Sequence, residues 1–372
     1  MRRSPPPRRM SPWGDRRLRR DLLLALPKTD LHVHLDGSLR PGTLLELAKE
    51  QGVRLAVKTP AELQGFLDEL TKGVSLTRYL EAFDLTLRVL QEKEALERAA
   101  FELAEDAHRE QVRYMEVRYC PALHTRRKLT MEGTVEAVVR GLERARKRYG
   151  IRTGTIICGI RHLSPRLSYR LAELAVAYYG KGVVAFDLAG AEKDYPAKAH
   201  RRAFDHVVKH NVNVTVHAGE AFGPASIAQA LHYCGAHRIG HGTRLKEDAE
   251  ILRYVNNHRI PLEMCPTSNV QTGASSSLRA HPFRAYLKLG LRVTLNTDNR
   301  LVSSTTMTQE LDRVVTALRL EPSDVRHVLL NGFKSAFLPF RERGELIMAA
   351  VREIDDVFRK ARAGAEPEWD LL

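Results

Sequence analysis

The sequence predicts an α/β protein of the (β/α)8 class, a TIM-type barrel, and three observations support this prediction. Eight short runs of apolar and β-branched residues recur from Asp30 onward, and amphipathic helical patterns separate them. Such alternation is typical of parallel strands joined by helices, and eight units are enough to close a barrel. The runs are also nearly continuous in apolar residues, as expected of strands that are buried on both faces.

The eight predicted strands follow one another at regular intervals. They are Asp30–Leu35, Val112–Tyr119, Thr153–Ile160, Val183–Leu188, Asn213–His217, Arg238–His241, Pro261–Cys265 and Arg292–Asn296. A doubly wound open sheet is the alternative arrangement for alternating strands and helices. No glycine-rich dinucleotide fingerprint follows the first strand, which weakens that alternative.

A helical insertion is predicted after strand 1. The starts of strands 1 and 2 are 82 residues apart, whereas the other strands start 23 to 41 residues apart. Four helical patterns fill this gap, at Gly42–Gln51, Pro60–Leu70, Leu76–Leu90 and Glu92–Gln111. The insertion lies on the face where barrel active sites are found. Its apolar residues either form a lid or simply pack the insertion onto the barrel, namely Phe66, Leu67, Leu70, Tyr79, Leu80 and Phe83.

The positive charge is concentrated at the amino terminus. The chain has 372 residues and a formal net charge of +14, and residues 1–20 contribute +7 through eight arginines and one aspartate. We predict a disordered basic tail at 1–22, one folded domain at 23–364 and a frayed end at 365–372. A basic arm can bind nucleic acid. A solvated extension is the favoured interpretation, because Trp13 is the only aromatic residue among the arginines.

Composition excludes several classes of protein. With 43% hydrophobic residues the chain is too apolar for a disordered polymer. No run approaches the roughly 18 apolar residues of a membrane-spanning helix. The early run Leu22–Leu26 is too short for a signal peptide. The four cysteines show no paired spacing, so we expect buried, reduced thiols in a cytoplasmic protein.

Chemically reactive side chains recur where predicted strands end. His32 and His34 are two positions apart in strand 1, so their side chains lie on the same face of the strand. His217 and His241 end strands 5 and 6, and Asp298 follows strand 8. In a closed barrel, the carboxyl ends of the strands meet at one face, so these side chains are expected to converge there.

One metal ion per chain is predicted, held by three imidazole nitrogens and one carboxylate oxygen. The residues that supply these atoms are His32, His34, His217 and Asp298. This donor set suits Zn²⁺, with Fe²⁺ or Co²⁺ as possible substitutes. Such a metal lowers the pKa of a bound water to about 7 and supplies hydroxide at neutral pH. Glu220 is close enough to protonate a reacting atom, and His241 is placed as a base or an electrostatic clamp on the water. The residues alone thus predict a mononuclear metal hydrolase.

Seven segments strongly resemble the adenosine deaminase family. They are Thr29–Ser38, Ser75–Leu80, Phe186–Gly190, Val216–Glu220, Arg238–Gly242, Cys265–Asn269 and Leu295–Asp298. The resemblance runs in order from about Leu24 to Arg352, which is nearly the whole chain apart from the basic tail.

This resemblance implies hydrolytic deamination of adenosine or 2′-deoxyadenosine to inosine or 2′-deoxyinosine, with release of ammonia, within purine metabolism. A metal-activated hydroxide would attack C6 while Glu220 protonates N1. His241 would orient the water and help to deprotonate it, and Asp298 would also hydrogen-bond the hydroxide. The four predicted ligands match the family's zinc ligands. Phe186–Gly190 offers no lysine to bridge a second metal, so one ion is expected.

Four residues are expected to face the substrate, by the same resemblance: His34, Asp36, Gly190 and Asn299. The Gly190 N–H would meet purine N3, and Asp36 would lie near the ribose 5′-hydroxyl. Many relatives have a second aspartate, facing N7, where this chain has Asn299. The asparagine amide donates without needing a proton, so it either preserves that contact or marks a changed base specificity.

Two other functions are considered. The first is deamination of another 6-aminopurine compound, such as adenine, a nucleotide or an N6-substituted nucleoside. Asp36 would repel a 5′-phosphate, which favours a nucleoside. The second is a catalytically inactive binding protein whose tail grips nucleic acid. It is disfavoured because the metal ligands, the acid and the water-binding histidine all match the family. The oligomeric state is not predicted.

Overall fold

The computed structural model describes residues 18–363, which form a nearly closed barrel of eight parallel strands in sequence order. The strands are β1 Lys28–His34, β2 Val112–Tyr119, β3 Arg152–Ile160, β4 Val183–Ala189, β5 Asn213–Ala218, β6 Arg238–His241, β7 Leu262–Met264 and β8 Val293–Leu295. A parallel bridge between Val33 and Asp298 joins the first strand to the segment after the last one. The predicted (β/α)8 barrel is therefore confirmed.

All eight predicted strands form, but their ends differ slightly. β1 begins at Lys28, two residues before the predicted start, because Lys28 and Thr29 already pair with Val112 and Tyr114 of β2. β7 and β8 contain only three residues each.

Helices surround the barrel and alternate with its strands. They are α1 Arg20–Ala25, α2 Pro41–Glu50, α3 Pro60–Thr71, α4 Leu76–Tyr79, α5 Phe83–Val89, α6 Lys93–Arg109, α7 Met131–Tyr149, α8 Pro165–Tyr178, α9 Arg201–Lys209, α10 Pro224–His232, α11 Ala249–Asn257, α12 Pro266–Gln271, α13 Phe283–Lys288, α14 Met307–Leu318, α15 Pro322–Ser335 and α16 Phe340–Ala363. Hydroxyl side chains accept backbone N–H bonds at several helix starts, as Thr59, Thr130 and Ser164 do. Within residues 18–363, no helix has both the length and the apolar character needed to span a membrane.

The insertion after β1 is confirmed, with one difference. The predicted single helix over Leu76–Leu90 is divided into α4, a 3-10 turn at Leu80–Ala82 and α5. The apolar residues of the insertion divide between the cavity and the core, and a lid role stays a prediction. Tyr79, Leu80 and Phe83 line the cavity at the barrel mouth. Residues of α3 do not: Leu67 packs in the core, and Phe66 is exposed.

The two predicted chain ends are described only in part. Residues 1–17 of the predicted tail and residues 364–372, including the predicted frayed end, lie outside the described residues. Helix α1 begins at Arg20, inside the predicted tail, and its Leu23 is fully buried. This helix packs against α14 and α16. Residues 20–22 therefore belong to the folded domain. The domain limits remain predictions.

Candidate metal and catalytic site

A cavity of about 250 Å³ opens at the carboxyl ends of the strands. It is lined by every predicted site residue except one, namely His34, Asp36, Gly190, His217, Glu220, His241, Asp298 and Asn299. The exception is His32, which is fully buried and lies directly beneath the others. Its ring is 4.5 Å from that of His217, centroid to centroid. The barrel thus brings the predicted residues together.

Backbone geometry at the strand ends directs two of these side chains. His241 and Asp298 have φ values of 63° and 62°, in the left-handed region that residues other than glycine rarely adopt. Asp298 is held there by two backbone hydrogen bonds to β1: His34 N–H donates to its carbonyl at 2.7 Å, and its own N–H donates to the His32 carbonyl at 2.8 Å. Strain of this kind persists where the surrounding structure fixes it, often at functional sites.

Distances among the predicted ligand atoms fit a zinc ion. His34 Nε2 lies 3.2 Å from His217 Nε2 and 3.5 Å from Asp298 Oδ1, and His32 Nε2 is also 3.5 Å from Asp298 Oδ1. Two ligands that each lie about 2.0–2.1 Å from a tetrahedral zinc are about 3.3–3.4 Å apart. His32 Nε2 is buried and has no hydrogen-bond partner within residues 18–363. Both observations fit one bound metal.

His241 also belongs to this cluster. One ligand atom from each of His32, His217, His241 and Asp298 lies within 4.8 Å of all the others. His34 joins through its contacts with His217 and Asp298. Five side chains can therefore reach one metal position. The choice of His34 rather than His241 as a ligand remains a prediction.

Two carboxylates behind the cluster orient the imidazoles. Glu263 lies 2.9 Å from His32 Nδ1, and Asp187 lies 3.0 Å from His217 Nδ1. A carboxylate that accepts the Nδ1 hydrogen leaves the Nε2 lone pair available to a metal. Arg118 binds both carboxylates, at 2.8 Å for Glu263 and 3.0 Å for Asp187. Burial alone would raise the pKa of Glu263, but Arg118 and Arg238 hold it well below its usual range.

Burial also sets the protonation of the candidate ligands. It lowers the pKa of His32 to about 4 and that of His34 well below its usual value, which keeps both rings neutral. Burial would raise the pKa of Asp298, but the imidazoles of His32, His241 and His34 beside its carboxylate hold the pKa well below its usual range. Neutral imidazoles and an ionised carboxylate are the forms that bind metals.

Glu220 is held as a buried acid. Burial raises its pKa, as a proton donor at neutral pH requires. Oε1 accepts hydrogen bonds from Asn269 Nδ2 at 3.1 Å and from Thr272 Oγ1 at 2.9 Å. Oε2 lies 3.5 Å from His241 Nε2. The acid is therefore fixed on one oxygen and faces the cluster with the other.

The loop that carries Glu220 is fixed by Glu192. This carboxylate accepts four successive backbone N–H groups, from Gly219, Glu220, Ala221 and Phe222, at 2.6–3.0 Å. Four donors converging on one carboxylate hold the backbone after β5 in place. The position of Glu220 is thus set by its backbone as well as by its side-chain partners.

Asn299 connects the barrel to the insertion. Its Nδ2 donates to the Tyr79 hydroxyl at 3.1 Å, and that hydroxyl also bonds Ser303 Oγ at 2.7 Å. Its Oδ1 is buried without a partner. A Cβ at Gly37 would come within 2.0 Å of this Oδ1, so only glycine fits beneath Asn299.

The predicted nucleoside end of the cavity holds Asp36 and Gly190. Burial raises the pKa of Asp36 to about 7, and His124 Nε2 lies 3.9 Å from its Oδ2. Asp36 Oδ1 and His124 Nε2 are both buried and have no hydrogen-bond partner among the described residues. Gly190 has φ of 92°, a conformation that favours glycine. Asp36 and Gly190 both line the cavity, whereas His124 lies behind Asp36.

A closed barrel whose mouth holds three or four histidines, an aspartate and a buried acid defines a metal-dependent hydrolase of the amidohydrolase type. Comparison with known proteins makes this assignment specific. The family model described as Adenosine deaminase matches residues 27–353. The chain belongs to the adenosine deaminase family and is a hydrolase that acts on C–N bonds.

Relatives and solved structures agree with this assignment. The adenosine deaminase 1 of Streptomyces coelicolor is 42% identical, over 94% of this chain and 90% of that protein. The adenosine deaminase of Mycobacterium ulcerans is 42% identical over 89% and 96%. Among structures, the N6-methyl-AMP deaminase of Arabidopsis thaliana matches with a TM-score of 0.78 and 26% identity, covering 90% of this chain and 98% of that one.

Several residues of the site were missed by the sequence analysis. Asp187 and Glu263 stand alone as carboxylates within predicted buried strands, which is the signal that could have identified them. Glu192, Asn269 and Thr272 lie outside the strands, and their role depends on contacts with residues distant in sequence. No pattern in the sequence marks those contacts.

Proposed function

We propose that this enzyme hydrolyses adenosine and 2′-deoxyadenosine to the inosine products and ammonia. The observation that carries the proposal is the placement of the buried acid Glu220 beside the His/Asp cluster in one small cavity. The adenosine deaminases among its relatives support the choice of substrate.

His32, His34, His217 and Asp298 would hold one zinc ion. A zinc ion bound there would lower the pKa of a water molecule to about 7 and so supply hydroxide at neutral pH. The carboxylates of Glu263 and Asp187 keep the Nε2 atoms of His32 and His217 directed at the cluster.

The remaining steps belong to side chains of the protein. Glu220 donates its proton to purine N1, which makes C6 electrophilic. His241 and Asp298 orient the attacking water on the other side of C6. Because N1 gains the Glu220 proton while the water oxygen adds to C6, the ring loses its aromatic character. One proton of the water restores the Glu220 acid and the other passes to the 6-amino group, which leaves as ammonia as the C6–N bond breaks and the C6 carbonyl forms.

The other end of the cavity would bind the sugar. The Gly190 N–H is proposed to meet N3, and Asp36 to accept the 5′-hydroxyl. A second candidate substrate is a nucleotide, because Arg126 also lines the cavity and a guanidinium binds phosphate. Asp36 opposes this by repelling a phosphate. We expect action on a free nucleoside in the cytoplasm, and no binding of nucleic acid by residues 1–20.

Ammonia release by the zinc-loaded protein tests the proposal. The panel is adenosine, 2′-deoxyadenosine, adenine, adenosine monophosphate and an N6-methylated nucleoside. Turnover of the first two alone is the expected result. Absence of ammonia release from both adenosine and 2′-deoxyadenosine, with about one metal bound per chain, would contradict the proposed substrate. Turnover of the monophosphate would favour the nucleotide candidate. If neither nucleoside is turned over, Asn299 is the first residue to examine.

A further inference from the structure

The polar contacts behind Glu220 and His241 converge on one side chain, Asn269 of α12. It is fully buried. Its Oδ1 lies 3.1 Å from Thr243 Oγ1 and 3.1 Å from His281 Nε2, and its Nδ2 lies 3.1 Å from both Glu220 Oε1 and His241 Nδ1. A side-chain amide has two hydrogens and two acceptor lone pairs. Every polar position of Asn269 is therefore occupied.

A backbone N–H sets the direction of these hydrogen bonds. The N–H of Phe283 lies 3.2 Å from His281 Nδ1, and a backbone N–H can only donate, so Nδ1 accepts. Burial lowers the pKa of His281 to about 3, so the ring is neutral and its single hydrogen is on Nε2. That hydrogen points at Asn269 Oδ1. The opposite amide orientation would also place an oxygen against the Glu220 carboxylate.

The orientation of Asn269 then determines its two neighbours. Its NH₂ group faces His241 Nδ1, which must accept, so Nδ1 carries no hydrogen and the ring hydrogen of His241 is on Nε2. Glu220 Oε1 already accepts from Asn269 and Thr272. Oε2, which faces His241 Nε2 at 3.5 Å, is the oxygen left to carry a proton.

We propose that Asn269, oriented by His281, is a positioning residue that keeps the hydrogen of His241 on Nε2 and leaves Glu220 Oε2 to carry the transferable proton. The inference rests on the proposed function, because the two groups it arranges are those assigned to the reaction. His281 does not line the cavity and acts through Asn269. His241 then offers an N–H to the cavity, which suits a clamp on water rather than a base.

Nitrogen NMR tests the hydrogen position without any assay of activity. The zinc-loaded protein is labelled with ¹⁵N-histidine, and the His241 signals are assigned from their loss in His241→Gln. We expect the shift of a bare nitrogen at Nδ1 and of a protonated nitrogen at Nε2. In His281→Phe the amide is free to turn, and both His241 signals should move toward intermediate values. The opposite assignment in the wild type would overturn the proposal, even if the protein failed to deaminate adenosine.

Kinetics supply the second test. We expect His281→Phe to lower kcat about 10- to 100-fold, the range typical of residues that orient reacting groups from behind. KM should change less than about twofold, because no substrate contact is removed. His281→Gln should restore most of the rate, since its amide N–H can replace the Nε2 hydrogen. Asn269→Asp, which exchanges a donor for an acceptor at constant shape, should be at least as damaging as His281→Phe.

Matched measurements separate this role from a structural one. His237→Phe is the control, because His237 also accepts a backbone hydrogen bond, from Val214 at 2.9 Å, and does not line the cavity. Metal content and melting temperature are recorded for each variant. A His281→Phe enzyme with wild-type kcat, or an equal loss of rate in His281→Gln, would refute the proposal.

Discussion

The floor and the roof of the cavity are formed by different kinds of residue. The floor is the group of strand-end residues His32, His217 and Asp298, and the buried carboxylates and Arg118 lie behind it. All three of Arg118, Asp187 and Glu263 have no exposed side-chain surface. The roof is formed by apolar side chains of α4, α5 and the turn between them, namely Leu76, Tyr79, Leu80, Phe83 and Leu87.

This difference assigns different tasks to the two regions. The charged hydrogen bonds of the floor tolerate few substitutions, because removing one partner leaves another buried charge unpaired. Three roof residues, Leu76, Leu80 and Phe83, are only partly buried. The roof depends on apolar contact, apart from the Tyr79 hydroxyl, which is hydrogen-bonded to Asn299 and Ser303. Substitutions in the floor should therefore change the chemical step and metal binding, and substitutions in the roof should change substrate binding.

Asp298→Ala should have the largest effect. It removes a carboxylate that lies 3.5 Å from both His32 Nε2 and His34 Nε2, so we expect loss of the metal and of measurable activity. Metal analysis and ammonia release check this. Chelation of the wild-type enzyme should produce the same loss, and added zinc should reverse it in the wild type alone. A variant with a full complement of metal and full rate would refute the ligand role.

Glu220→Gln should come next. The amide keeps the shape of the side chain but cannot donate the proton, and general acid catalysis contributes about 10²–10⁴ in rate. We expect kcat to fall in this range with the metal retained. Glu192→Gln is a useful comparison, because it weakens the hold on the same loop without removing the acid. Near wild-type turnover by Glu220→Gln with verified metal would contradict the mechanism.

Glu263→Gln tests the outer part of the floor. The change removes a negative charge that lies between Arg118 and Arg238. It also replaces the carboxylate that faces His32 Nδ1. We expect about 10- to 100-fold weaker zinc affinity or activity. Unfolding free energy should also fall by about 3–5 kcal/mol, as when one partner of a buried ion pair is removed.

Glu310→Gln is the matched control for Glu263→Gln. Glu310 is also buried, but it bonds Thr305 and contacts none of the site histidines. Chelator competition and denaturant unfolding measure the two properties separately. Equal zinc affinity in Glu263→Gln and the wild type would show that the floor does not depend on its outer carboxylates.

The barrel and the main site residues were predictable because they depend on local patterns. Alternating apolar strands and helices indicate the barrel, and the reactive residues stand where those strands end. His32 and His34 share a face through the two-residue period of a strand. The resemblance added roles that spacing cannot supply, such as that of Gly190.

The support beneath the site was not predictable in the same way. Arg118 and Glu263 are 145 positions apart, and their contact exists only once the barrel closes. An isolated carboxylate in an apolar strand does not reveal its partner. The turn at Leu80–Ala82 was also missed, since it contains neither glycine nor proline, the usual signs of a helix break.

Phe83→Ala should show the contrasting behaviour of the roof. Phe83 lines the cavity, and its ring lies 6.3 Å from that of His34. Loss of about 1 kcal/mol of apolar contact should raise KM about fivefold with kcat nearly unchanged. Phe101→Ala is the control, since this ring packs against Tyr149 away from the cavity. A kcat loss as large as that of Glu220→Gln would remove the distinction between roof and floor.

Asn299→Asp should have the smallest effect near neutral pH, and it tests the point where roof and floor meet. The asparagine amide donates to Tyr79 at any pH, whereas an aspartate must be protonated to do so. Burial and the adjacent Asp298 would raise the pKa of the new carboxyl. We expect kcat/KM close to that of the wild type at low pH and a decline of about tenfold per unit above that pKa. Tyr79→Phe, which removes the hydroxyl but not the amide, should lack this decline. If Asn299→Asp showed the same pH profile as Tyr79→Phe and the wild type, the donor character of residue 299 would have no part in catalysis.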